Sequence, residues 1–178
     1  MKIKLDNEIP TRIYFWNKER GLLLNPPSFR LELSLLLEEI SEYYRTSDIE
    51  QEVDALADMT VFAFGWLAKL NDKTRDIILD PENFIEDDII GLVYDISRFY
   101  DCGLRDDAID ATYKLIVNAL NGVFNRGYHP TIIMEEVVKH IESRVGSIDE
   151  NGKWVKDKTA IVYQPNFKRA LIAPEVIQ

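Results

Sequence analysis

Apolar residues recur three and four positions apart along most of the chain, the spacing of helices with one buried face. A short N-terminal segment around TRIYFWNKER is closed by Gly21, and Asn25-Pro26-Pro27 punctuates the chain just beyond it. A first long helix is predicted from about Ser28 to Arg45. Ser47-Asp48-Ile49-Glu50 has the form of a capping box, with Ser47 and Glu50 satisfying free backbone N–H groups at the start of a second helix that runs to about Leu70. Asp80-Pro81 predicts the opening of a third helix, which ends near Gly103. A fourth runs from about Arg105 to Arg126 and stops at Gly127. Pro130 opens a fifth, which stops at Gly146. The tail changes character: Asn151-Gly152 and the β-prone run TAIVY predict a hairpin or an extended arm. The expected fold is all-α, a four-helix-bundle-like core with an additional helix and a C-terminal arm over 146–178.

An internal echo at an offset of 56 residues runs through this pattern. EEISEYY at Glu38–Tyr44 aligns with YDISRFY at Tyr94–Tyr100, and VDALADMTVFAFG with IDATYKLIVNALN. Ile40/Ile96, Ser41/Ser97, Tyr44/Tyr100, Asp54/Asp110 and Ala55/Ala111 are identical. Two readings stand: two helical hairpins, 28–70 and 81–127, arising by duplication within one domain, or a chance agreement of amphipathic helices. On the first reading one site works and its copy has degenerated, since Glu38, Glu42 and Asp58 correspond to Tyr94, Arg98 and Lys114.

The length of 178 residues fits a single domain with a self-sufficient core. A formal charge of −10 argues against a nucleic-acid polymer as partner, because phosphate backbones are held by surplus Lys and Arg. A small anionic ligand remains open if a divalent cation mediates it. The single Cys102 excludes an internal disulfide and fits a reducing compartment. No export signal is visible and no run approaches the ~20 apolar residues needed to cross a bilayer, so a cytoplasmic location away from membranes is expected.

Between Leu35 and Met59 stand eight acidic residues. Asp48, Glu50 and Glu52 suit the acid-preferring start of a helix. Glu38 and Glu42 share one helix face, Glu39 neighbours Glu42, and Asp54 and Asp58 lie four apart on the next helix. Such crowding of like charges is unfavourable unless a cation sits among them. The bland alternative is a solvated acidic face. It is hardest to hold for Asp58, which heads the apolar run MTVFAFGWLAKL, where an unpaired buried charge is costly. An all-oxygen set of this kind suits Mg²⁺ or Mn²⁺. Zinc would want more than one Cys and two His. A di-iron bundle would want ExxH pairs, whereas Glu136 precedes His140 by four. His129 and His140 are expected at the surface or an interface.

The combination of EEISE, DALAD entering an apolar helix, the turn GYHP and the tail NGKWVKDKTAIVYQP resembles the MazG-like all-α nucleoside triphosphate pyrophosphohydrolases, the superfamily that includes the dimeric dUTPases and phosphoribosyl-ATP pyrophosphohydrolases. The resemblance spans most of Leu35 to Phe167. It implies hydrolysis of a nucleoside triphosphate, a dNTP in the favoured case, to the monophosphate and pyrophosphate, by a homodimer. It implies Mg²⁺, with Mn²⁺ as a substitute, held by Glu38, Glu39, Glu42 and Asp58, and Glu38 or Glu39 orienting the attacking water. Three positions depart from the pattern. The acid three residues before Asp58 is replaced by Ala55, so Asp54 must stand in, and the asparagine and lysine expected after the GxxP helix are altered in HIESRVG, where Arg144 can serve as the phosphate contact.

A triphosphate also needs cations from the protein, and Arg144, Lys153, Lys156 and Lys158 are the candidates; the alternative is solvated side chains on an arm. Trp16 and Phe15, read as preceding the first helix, either stack on a base or seal the core. Asn118, a polar residue in LIVNALNGVF, either bonds a base edge or pairs with another helix. A rival from another class is a non-catalytic helical partner protein with a decayed nucleotide site.

Overall fold

The computed structural model describes residues 2–24, 28–72, 75–85, 88–150 and 153–172. Among them are six α-helices: α1 (Glu8–Glu19), α2 (Phe29–Arg45), α3 (Ile49–Lys69), α4 (Asp88–Asp101), α5 (Arg105–Asn125) and α6 (Pro130–Ser143). Two short antiparallel ladders are also found among the described residues. β1 (Ile3–Lys4) pairs with β2 (Ile78–Leu79), and β3 (Gly146–Ile148) pairs with β4 (Trp154–Lys156). The protein is therefore all-α apart from these trimmings.

The two long helices α3 and α5 sit at the centre and pack on each other. α2 lies on α3, α4 lies on α5, and α1 and α6 close the remaining side against α3. The reason is compositional. In α3, Val53, Leu56, Met59, Ala63, Phe64 and Leu67 are all buried, on a helix apolar around most of its circumference. Leu115, Ile116, Leu120 and Val123 do the same for α5. The helix carrying Trp16 is a full element: Ile9, Ile13 and Asn17, four apart, form its buried face, and Gly21 ends it with φ of 71°. Paired positions of the 56-residue echo have matching surroundings. Ile40 and Ile96 are buried, as are Ala55 and Ala111, while Tyr44 and Tyr100 are exposed.

Helix ends match the sequence in some places and not in others. The Ser28 hydroxyl caps α2 by accepting from Leu31 N at 3.3 Å. α3 is capped by Asp48, whose carboxylate accepts from Gln51 N at 3.0 Å, and not by Ser47. Thr46 completes that turn: its hydroxyl accepts from Asp48 N and donates to Gln51 Oε1 at 2.7 Å. Asp80-Pro81 does not open the third predicted helix. Pro81–Asn83 form one 3₁₀ turn, and α4 begins at Asp88. The intervening Phe84 and Ile85 are held on α5, Phe84 by packing over Gly122 and Ile85 by the Asn118 amide. In the tail the strand is Trp154–Lys156, and TAIVY is not a strand. The Asn151-Gly152 turn and the Asn25–Pro27 punctuation lie outside the described residues.

Beyond β4 the arm turns back along α6 and is fastened at Glu136. This fully buried carboxylate accepts hydrogen bonds from the Tyr163 hydroxyl, Asn166 N at 2.9 Å, Lys139 Nζ at 3.0 Å and Arg169 Nη1 at 2.9 Å. Further on, Ala170 O and Ile172 N bond the α5–α6 turn through His129 N and Gly127 O.

Candidate functional site

A cavity of about 360 Å³ opens between α1, α2, α3 and the β3–β4 hairpin. Helical periodicity explains its walls. Glu32, Leu35 and Glu39 fall on one stripe of α2, and Asp58, Phe62, Gly65 and Lys69 on one stripe of α3. The short link at Thr46–Asp48 makes these helices antiparallel neighbours, so both stripes face the same space. Glu38, Glu39 and Asp58 lie toward the link, and Glu32 and Lys69 toward the far end. The hairpin closes one side with Lys153, Trp154 and Lys156. Lys158, Arg144 and Trp16 also line the cavity.

The carboxylates at the link end repel one another. Loss of hydration, followed by Asp58, Glu42 and Asp54, pushes the half-buried Glu39 up to about 8. Loss of hydration and then Asp54 push Asp58 up to about 6, against the pull of Arg144 and Lys156. Asp54 is raised by loss of hydration, with His140, Arg144 and Lys156 opposing. Its side chain stays exposed, so solvent screens its interaction with these charges. Ala55 is buried in the core, so an acid at that position would not reach this face, whereas Asp54, like Glu42, reaches Glu39 and Asp58 electrostatically. Lys156 is lowered by burial and by Arg144, while Asp58, Glu39 and Asp54 act in the other direction. Glu38 meets Lys153 at 3.8 Å, an exposed and weak pair.

Among the described residues no three His, Cys, Asp or Glu side chains converge closely enough to form a ready metal cage. In chemistry the donors fit a hard divalent cation. They are all oxygen, they sit on adjacent helices, and burial together with the neighbouring Asp58 and Glu42 raises Glu39 to about 8.

The cavity thus gathers Trp16, Glu38, Glu39, Asp58, Arg144, Lys153, Lys156 and Lys158, with Glu42 and Asp54 near enough to act on its acids. It does not gather Asn118. Both ends of that amide hold the backbone of Ile85, at 3.1 and 2.8 Å, because a polar side chain on a buried face of α5 needs a partner there. Phe15 lies on the exposed side of α1, away from the cavity. Trp16 donates Nε1–H to Ile141 O at 2.7 Å, and the guanidinium of Arg20 stands 4.4 Å from its ring and 5.0 Å from that of Trp154.

Several cavity residues lie outside the set expected from sequence. Asn17 is buried at 4 % exposure, and Glu32 and Lys69 form an ion pair at 2.6 Å with side chains 7 and 6 % exposed. Their signal is the stripe itself, seven residues before Glu39 and eleven after Asp58. His140, expected at the surface or an interface, is half-buried and bonds Tyr163 O through Nδ1 at 2.5 Å, which fixes Nδ1 as the protonated nitrogen. Burial lowers its pKa, and Arg144 and Lys156 add to this.

Compared with known proteins, the chain matches no family model, no curated protein and no solved structure. No helix among the described residues is long and apolar enough to cross a membrane.

Proposed function

We propose that this chain is a Mg²⁺-dependent nucleoside triphosphate pyrophosphohydrolase of the MazG-like kind, acting on a dNTP as a cytoplasmic homodimer. One observation carries the reading: a single cavity sets Glu38, Glu39 and Asp58 beside Arg144, Lys153, Lys156 and Lys158. Carboxylates alone would repel a triphosphate, and cations alone would hold it without chemistry. Glu38, Glu39, Glu42 and Asp58 would hold Mg²⁺ or Mn²⁺, with Asp54 at the edge. Such a cation, when bound, neutralises the triphosphate and lowers the pKa of a water.

The chain's own groups supply the rest. Arg144 and the three lysines take the phosphate charge, and Trp16 offers a ring face to the nucleoside. Glu39, ionised once a bound cation offsets the neighbouring acids, accepts a proton from the water whose oxygen bonds the α-phosphorus. The bond from that phosphorus to the oxygen bridging to the β-phosphorus breaks, and pyrophosphate leaves. Incubation with Mg²⁺ and a panel of nucleoside and deoxynucleoside triphosphates should release pyrophosphate. No turnover, or orthophosphate alone, would exclude this reading.

The buried Ala55 and the lack of a ready cage among the described residues favour a second reading, a non-catalytic helical partner protein with a decayed site. Metal titration separates the two: only a working site gains thermal stability from Mg²⁺ or Mn²⁺.

A further inference from the structure

The end of the cavity away from the acid cluster holds an ion pair that the proposed chemistry does not use. Lys69 Nζ donates to Glu32 Oε1 at 2.6 Å, and both side chains are more than nine-tenths buried. Among the described residues, neither Glu32 Oε2 nor Lys69 Nζ has another hydrogen-bond partner, and both residues line the cavity. Asn17 joins them one turn along α3, against Gly65. Its Nδ2 donates to Ile13 O at 2.9 Å, while its Oδ1 accepts no hydrogen bond from any described residue. A pair that served packing alone would be replaceable by apolar side chains at little or no cost. This one leaves an acceptor and donors facing the cavity, between apolar walls formed by Leu31, Leu35 and Phe62.

The dimensions agree with a ligand that spans the cavity. Glu32 precedes Glu39 by seven residues, roughly 10 Å of helix rise. That is comparable to the distance from the α-phosphorus of a nucleotide to the far edge of its base. A base placed there presents a donor next to an acceptor: the donor meets Glu32 Oε2 and the acceptor meets Lys69 Nζ. With Oε1 already held by Lys69, the carboxylate offers one oxygen and not a two-pronged clamp. This disfavours guanine, whose N1–H and amino group present two donors side by side and would leave one unpaired, against the edges of the other bases, which pair one donor with one acceptor.

We propose that the Glu32–Lys69 pair, with Asn17, reads the hydrogen-bonding edge of the base and determines which nucleotide enters. This inference rests on the cavity being a nucleotide site. The preferred class is a triphosphate of a base other than guanine.

The test compares wild type with the double variant Glu32→Leu/Lys69→Met, which exchanges the pair for apolar groups of similar size, and with Glu32→Gln alone. For each, kcat/KM is measured over triphosphates of cytosine, adenine, uracil, thymine and guanine, alongside thermal unfolding. Wild type should disfavour guanine. The double variant should unfold at the same temperature or higher and lose about ten-fold or more of that discrimination, chiefly through KM. A folded double variant that discriminates as wild type does overturns the proposal, as does a wild-type preference for guanine. If wild type turns over no nucleotide, the proposed activity fails, and calorimetry with the five nucleosides then decides this inference separately. Binding of a nucleoside other than guanosine that the double variant loses would uphold it, and no nucleoside binding at millimolar concentration would overturn it.

Discussion

The Tyr163 hydroxyl donates to Oε2 of Glu136, joining the C-terminal arm to a carboxylate with no exposed surface on α6. Burial alone would raise that carboxyl, but hydrogen bonds from Tyr163, Asn166 and Lys139 outweigh it and hold Glu136 at about 2. A carboxyl held below its unfolded value of 4.5 stabilises the fold fully above that pH. The stabilisation is lost as pH falls toward 2. Glu136→Gln should cost about 3 kcal/mol at neutral pH and flatten the acid limb of a urea-denaturation series. An unchanged acid limb would refute the role.

Glu39 and Asp58 have the opposite sign. Their folded values of about 8 and about 6 exceed 4.5 and 3.8, so the folded state keeps protons that the unfolded chain releases. Without a divalent cation, stability should fall as pH rises from about 4 to about 8. Added Mg²⁺ should reverse the fall and release protons to a weak buffer. Thermal unfolding across this range with and without Mg²⁺ checks both.

Glu39→Gln and Asp58→Asn each remove one carboxyl that folding makes harder to ionise. Each should abolish pyrophosphate release, by about a hundred-fold or more, with helical circular dichroism intact. The metal-free protein should gain about 1 kcal/mol, the trade between function and stability expected where like charges are crowded. Retained activity would remove these residues from the site.

Two helix glycines should respond oppositely to alanine. At Gly65 the atoms nearest a Cβ would be those of the Asn17 amide, Nδ2 at 3.4 Å, so Gly65→Ala should stabilise by about 0.5–1 kcal/mol through backbone entropy while narrowing the cavity and raising KM. At Gly122 the new atom would sit 2.8 Å from the Phe84 ring and 3.1 Å from Leu56 Cδ1. Gly122→Ala should therefore cost about 1–3 kcal/mol. Denaturant midpoints of the two variants, on either side of wild type, are the check.

Local signals carried much of this fold. Ser28, Gly127 and Pro130 mark helix ends in the chain and in space, because cap hydroxyls, positive φ and a missing N–H act within a few residues. Asp80-Pro81 misled because Phe84 and Ile85 are committed to α5, a contact across more than thirty positions that no local pattern encodes. The cap of α3 falls on Asp48 and not Ser47 because Thr46 and Gln51 bond each other around it. Acids facing one cavity could be read from helical spacing, as with Glu39 and Asp58. Glu32 and Lys69 follow the same spacing, but a lone acid and a lone lysine look solvated until two helices bring them together.

Arg20 stands beside the rings of both Trp16 on α1 and Trp154 on the hairpin, which meet edge to face with centroids 6.0 Å apart, and its Nη2 bonds Arg144 O at 3.1 Å. Two of the chain's three tryptophans thus flank the cavity mouth and share one charged neighbour, while Trp66 lies elsewhere, packed on Phe29 and Tyr100. The molecule carries its own optical probe. Any occupant that shifts the hairpin relative to α1 changes the field that Arg20 exerts on both indoles, and so their emission, without a label.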